Sequence, residues 1–386
     1  MTQTHILLRP GDDLMLDFDP TAPPLYDIPA DTAKRRHPDL PRGAFPLAEP
    51  LIQRPKGPVK PRPYRILQNI QSVSCCVRNN AAIDLDGVLW TWGSTSIGRM
   101  GDVISYDCPV PIDYIPKRRM EHVIAVSAGA RHTMCITSDH QLWGWGENSD
   151  GELGIGDCKR REEPTRIMSG VVFVSVAVGM TFAIRENGTL WGWGANYDRL
   201  FPTSKDTVLT PLPLMEHVAY VSCSRSRCFV LRDDGTLWGL GVFTHLKAPT
   251  LLMKDIAYVA SPPWEGFCMI IAKNGDLYAL GGGTPGSMVG WQKAKGYAVP
   301  VKVLENVDRA WCGHYLTFVL LKDGRLLSSG ENYSGQCGIG RYSARFHKPA
   351  YVMPHAKAAA AGYGHGMGLQ DNGDLWIWGG DYSIPC

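Results

Sequence analysis

The residues with the types and spacing to do chemistry are few in this 386-residue chain. Gly281–Gly286 (GGGTPG) has the spacing GxGxxG, which cradles phosphate when N–H groups at a helix N-terminus point at the anion. Here the run contains Pro285 and leads into SMVGW, which shows no helix, so no phosphate site is expected. The eleven cysteines include no CxxC, and no Cys/His cluster has zinc-ligand spacing, so no metal is expected. Cys135, Cys228 and Cys268 sit in apolar strand-like runs, where a thiol behaves as a small hydrophobe; reduced thiols are expected. Asn187-Gly-Thr189 and Asn332-Tyr-Ser334 match glycosylation acceptors. The opening MTQTHILLRPGDDLMLDFDP lacks the basic start and apolar stretch of a secretory signal, so both read as turn residues. There is no GK[ST], HExxH or GxSxG, and no acid/base constellation. No catalytic residue and no cofactor follow, and the chain is expected not to be an enzyme.

Composition points the same way. The chain is 44% apolar, ample for a large core, and its net charge is only +2, from 39 basic and 37 acidic residues. That balance gives no strong field for nucleic acid or an anionic membrane. No run approaches the eighteen apolar residues of a membrane helix. A cytoplasmic location, or a particle assembled in the cytoplasm, is expected.

The elements that position any site come from internal repetition. DGVLWTWG (86–93) recurs as DHQLWGWG (139–146), NGTLWGWG (187–194), DGTLWGLG (234–241), NGDLYALG (274–281), DGRLLSSG (323–330) and NGDLWIWG (372–379). Successive second positions (87, 140, 188, 235, 275, 324, 373) are 40 to 53 residues apart. Asp/Asn-Gly supplies the positive φ of a tight hairpin turn, and the alternation after it is that of a half-buried strand. Trp90 and Trp92, two apart, share one strand face, as do Trp143/Trp145, Trp191/Trp193 and Trp376/Trp378. They are expected to stack between sheets. Copies five and six carry Tyr278/Leu280 and Leu327/Ser329 instead, and those blades are expected to pack less tightly or to meet something else.

A second strand-like run precedes each copy, and a proline-marked apolar run precedes that: residues 61–67, 109–115, 164–168, 211–215, 249–253, 300–304 and 349–353. Proline is tolerated at sheet edges, where its missing N–H faces no neighbour. Seven four-stranded units of this length predict an all-β, seven-bladed β-propeller over residues 61–386. The last copy has no proline-marked run after it, while residues 61–67 precede the first. Those residues are therefore expected to pair onto the last blade and close the ring.

The pattern VxAGxxHT…DGxLWxWGxN…GxLGxG resembles the repeat of the regulator of chromosome condensation family. Ser127–Thr133 with Asp139–Asp157 is the fullest copy, and Glu331–Gly340 (ENYSGQCGIG) is a second GQLG-like loop. The resemblance spans residues 61–386 and implies the same propeller. The family often places His in the AGxxH loop; here the series reads Asn79, His132, Met180, Arg227, Phe267, Leu316 and His365. In the family's nucleotide-exchange member, loop residues on one ring face meet a small GTPase. The resemblance thus offers His132 and His365 as partner contacts; a buried His bonded to the neighbouring blade is the competing reading. Arg225 and Arg227 in SCSRSRC, and Trp264 after Pro262-Pro263, break the repeat pattern and are further partner-binding candidates.

Residues 1–60 hold eleven prolines with no lasting period, the composition of an extended, Pro-rich arm. Pro23, Pro24 and Tyr26 in PPLY match the type of peptide that WW domains bind, and are candidate arm contacts. Together these features suggest a non-enzymatic interaction or structural propeller, anchored by its arm to protein partners in a larger assembly. One version is a component of a virus or phage particle. The alternatives are a guanine-nucleotide exchange factor, and an inhibitor or receptor-like module using one ring face. A monomeric ring is the default, with assembly through the arm.

Overall fold

The computed structural model describes residues 63–77, 79–94, 112–198, 200–224, 227–241, 249–263, 266–282 and 297–379. Residues 1–62, with the arm and Pro23, Pro24 and Tyr26, lie outside them, as do Arg225 and Trp264. Twenty-eight described strands form seven antiparallel sheets of four. Blade 2 shows the plan: Val123–Ala128 innermost, then His132–Thr137, Gln141–Gly146 and Arg161–Ser169 at the rim, in sequence order. Blades 1 and 3 to 6 repeat it over 70–120, 171–215, 218–253, 256–304 and 307–353. The proline-marked runs are the rim strands, with Pro164, Pro213, Pro300 and Pro349 among them. Each rim strand belongs to the blade before it in sequence, so the sequence repeat is one strand out of phase with the sheet.

Blade 7 confirms the closure. Its strands Ala356–Ala361, His365–Gln370 and Leu375–Gly379 are joined by Tyr64–Leu67, which pairs antiparallel with the third: Tyr64 with Ile377 and Leu67 with Leu375. Ile66 and Leu67 are buried, and Arg65 Nη1 lies 3.0 Å from Asp374 Oδ2. No sheet edge is left open at the join.

The turns explain why Asp/Asn-Gly recurs. Gly87, Gly188, Gly235, Gly275, Gly324 and Gly373 have φ between 78° and 93°, which a Cβ disfavours. In blades 3 to 7 the preceding Asn or Asp accepts the N–H two residues on, as Asp234 Oδ1 does from Thr236 at 2.8 Å; in blade 1 Asp84 Oδ1 accepts the N–H groups of both Asp86 and Val88 instead. The turn residue's carbonyl then accepts from the first innermost-strand residue of the next blade, as Gly87 O does from Val123 N at 2.8 Å. The same bond recurs at all seven joints, including Gly373 O to Ile70 N at 2.9 Å; in blade 2, His140 (φ 60°) takes the glycine's place. The residue that opens each blade also sits in the left-handed region: Asn69, His122, Gly170, His217, Asp255, Asn306 and His355. Asn, Asp and His tolerate it better than other side chains. Each uses its carbonyl to hold its own blade's hairpin turn, as His122 O does from Ser138 N.

The core lies between blades. Each of seven apolar clusters joins two consecutive blades, and the Trp pairs point at the preceding blade. Trp378 meets Phe318 of blade 6 edge-on with ring centroids 5.6 Å apart. A buried aromatic of this kind stabilises by roughly 1.5–3 kcal/mol. Loosening where the pair is lost does not appear between blades 5 and 6. Phe267 and Met269 fill that seam, and Ala279, Val307, Ala310 and Val319 are buried there.

Candidate functional site

The ring has two unlike faces. One carries the seven hairpin turns and is lined by exposed charges of both signs, among them Asp86, Glu121, Asp139, Glu216, Asp234 and Asp323 with Lys254, Lys273 and Lys322. The other, the loop face, carries the inner turns that contain the AGxxH positions and the outer loops that follow each WxWG strand. The candidates with described positions, His132, Arg227 and His365, lie towards this second face.

The outer loops are built by one residue type. Asn148, Asn196 and Asn332 stand two residues after Gly146, Gly194 and Gly330 and are fully buried. Each Oδ1 accepts the N–H five residues on: Leu153 at 2.8 Å, Phe201 at 2.8 Å and Cys337 at 2.9 Å. Each Nδ2 donates to carbonyls across the loop, such as Asp157, Lys205 and Arg341. The loops of blades 2 and 6 then dock on the next blade. Trp193 Nε1 donates to Glu152 O at 2.9 Å, and Trp378 Nε1 to Gln336 O at 2.8 Å. In blades 3 and 6 the residue after the buried asparagine points outward: Tyr197 is 61% exposed and Tyr333 62%. Tyr342, at the far end of the blade 6 loop, is 52% exposed. Nearer the axis, His314 packs on Tyr315 and on the Tyr363 ring of blade 7, with centroids 3.9 and 5.0 Å apart. Burial lowers the His314 pKa to about 4.

The AGxxH series falls on one register position, each member opposite its blade's WG glycine, as His132 is opposite Gly146 and His365 opposite Gly379. Its polar members reach into the next blade. Asn79 Nδ2 donates to Thr133 Oγ1 at 2.8 Å and to Gly129 O at 3.0 Å. His132 Nε2 is 2.8 Å from Thr181 Oγ1, Arg227 Nη1 is 2.8 Å from Gly266 O, and His365 Nε2 is 2.8 Å from Asn80 Oδ1. His132 and His365 are 1% and 0% exposed, inside the ring rather than on a surface that a partner meets. Burial lowers the His132 pKa to about 3, so its imidazole is neutral.

Two further features escaped sequence reasoning. Cys223 and Cys228 face each other across the blade 4 hairpin, 4.1 Å apart at Cα, and form a disulfide, so reduced thiols throughout is not what the structure shows. The spacing Cys-Ser-Arg-Ser-Arg-Cys across a turn was the available signal. The exposed tyrosines also went unremarked, although Gly-x-Asn-Tyr follows the third strand in blades 3 (194–197) and 6 (330–333). Among the described residues, no group of three or more His, Cys, Asp or Glu is placed to hold a metal ion.

Models of the regulator of chromosome condensation (RCC1) repeat match residues 86–136 and 139–184, and residues 123–152. The Ultraviolet-B receptor UVR8 of Arabidopsis thaliana is 31% identical over 91 residues, 23% of this chain and 20% of the receptor. The human E3 ubiquitin-protein ligase HERC2 is 30% identical over 90 residues, 23% of this chain and 2% of the ligase. The chain thus matches a fifth or less of the length of these relatives. Human WBSCR16 is similar in structure, with TM-score 0.66 and 19% identity over 84% of this chain and 90% of that one. Prp20p of Saccharomyces cerevisiae, whose binding to Gsp1p and histones has been characterised, gives TM-score 0.63 and 18% identity over 81% and 82%. At these identities the structural likeness is one of fold. Strand order and closure agree: the described residues form a seven-bladed β-propeller, and residues 86–184 of it match the regulator of chromosome condensation repeat.

Proposed function

We propose that the chain is a non-enzymatic protein-interaction propeller that takes its partner on the loop face, centred on the blade 6 loop. The observation that carries this reading is the placement of the exposed tyrosines. Tyr197, Tyr333 and Tyr342 all stand on outer loops of that face, held there by buried asparagines. Tyrosine offers a large amphipathic contact with little rotamer entropy to lose, and interfaces are enriched in it. The polar side chains at the AGxxH position are engaged in holding blades together, which leaves the loops as the adaptable surface. The arm, residues 1–60, anchors the ring in a larger assembly on this reading.

The test is quantitative capture of partners from the native source by full-length protein and by the Tyr333→Ser/Tyr342→Ser variant. Loss of the same partners from the variant supports the loop face; undiminished capture contradicts it. A guanine-nucleotide release assay on the captured proteins tests the exchange-factor reading, which rests on the repeat resemblance.

A further inference from the structure

The blade 2 loop carries a buried acid where the blade 6 loop carries an amide. Glu152 and Gln336 each stand four residues after their loop asparagine, and both are buried. Each accepts the backbone N–H two residues earlier: Glu152 Oε2 from Asp150 at 2.8 Å, Gln336 Oε1 from Ser334 at 2.9 Å. Each main-chain carbonyl accepts the indole N–H of the next blade. Glu152 Oε1 therefore takes the place of the Gln336 amide nitrogen. It is buried and has no hydrogen-bond partner among the described residues. A neutral carboxyl tolerates that position; a carboxylate there is a buried charge lacking a donor on one oxygen.

We propose that Glu152 is a proton-controlled clasp between blades 2 and 3, docking the 148–157 loop when protonated and releasing it when ionised. The carbonyl of the same residue makes the seam, accepting from both Trp193 Nε1 and Thr181 Oγ1, so displacing the side chain disturbs both bonds. The charged groups acting on the carboxyl from its own loop, Asp150 and Glu147, are acids and resist its ionisation. From blade 3, Tyr197 donates its hydroxyl to Asp150 Oδ1, and Asp206 acts on that same tyrosine. From the second strand of blade 2, His132 reaches the site through Thr181 as a neutral imidazole. Burial dominates and raises the Glu152 pKa from 4.5 to about 7, against the backbone N–H groups of Glu152 and Asp150, which lower it, and with a smaller push upward from the two acids.

The raised value sets the sign. The docked loop keeps its proton where a released loop loses it, so the stabilisation is fully present below about 4.5 and is lost as pH rises through about 7. Hydrogen exchange of residues 147–157 in the full chain, corrected for intrinsic rates, reads this at pH 5.5 and 8.5. Wild type is expected to lose protection on the order of tenfold at the higher pH. Glu152→Gln, which copies Gln336, is expected to hold its protection at both. Asp150→Asn removes a neighbouring like charge and is expected to move the wild-type transition to lower pH. Identical pH profiles in wild type and Glu152→Gln, or a transition unmoved by Asp150→Asn, overturn the proposal.

Discussion

His132 Nε2 of blade 2 lies 2.8 Å from Thr181 Oγ1 of blade 3, and Thr181 gives its own proton to the Glu152 carbonyl. Thr181 is thereby an acceptor towards the imidazole, which fixes His132 as the Nε2–H tautomer. His365 repeats the arrangement with Asn80 across the join of blades 7 and 1. The histidine of the AGxxH position works here as a seam bolt. His132→Ala is expected to cost about 2–4 kcal/mol, by leaving a cavity and losing a buried bond. The pH dependence has a definite sign. The folded pKa, about 3, lies below the ordinary 6.5, so the contribution is full above pH 6.5 and is lost as pH falls. Chemical denaturation at pH 8 and pH 5 checks this: the gap between wild type and variant should narrow at pH 5.

Closure rests on four residues from the chain's N-terminal side. Leu67→Ala, at a fully buried position on the blade 7 edge, is expected to destabilise by about 2–4 kcal/mol. Arg65→Ala leaves Asp374 partly buried without its guanidinium and is expected to cost about 1–3 kcal/mol. Melting curves that leave both variants at the wild-type temperature would show that residues 64–67 do not close the ring.

Val77 is a β-branched residue at φ 54°, in the inner turn of blade 1. The left-handed conformation costs such a residue about 1–2 kcal/mol. Its carbonyl accepts from Tyr363 N of blade 7, a bond that a glycine keeps, and its side chain is only half-buried. Val77→Gly is therefore expected to stabilise by up to about 1 kcal/mol after its added unfolded-state entropy, raising Tm by about 1–2 °C in a ring of this size. A lowered Tm would contradict the strain.

Much of the ring was legible because the fold repeats its demands in one residue type. Only a left-handed residue fits the hairpin turn, so Gly87 and its equivalents recur. A missing rim strand at the end of blade 7 pointed straight to residues 61–67. The paired tryptophans marked the seams. The linker residues escaped, because Asn69, His122, Gly170 and Asp255 meet one backbone demand with four chemistries. The seam bonds escaped because His365 and Asn80 are 285 residues apart in sequence, and only the closed ring brings them together. The histidines drew notice as surface candidates because a repeat position shows recurrence, not burial. The disulfide depended on a strand register that sequence spacing alone does not set.

The central claim is that the partner is taken on the loop face, and the most direct measurement compares the two faces in one binding experiment. Full-length wild type, Tyr333→Ser/Tyr342→Ser on the loop face and Glu216→Lys/Asp234→Lys on the opposite face are titrated against the captured partner. Loss of affinity on the order of tenfold or more for the tyrosine variant, with the charge variant near wild type, is the predicted result. The reverse pattern would place the partner on the hairpin-turn face and contradict the account.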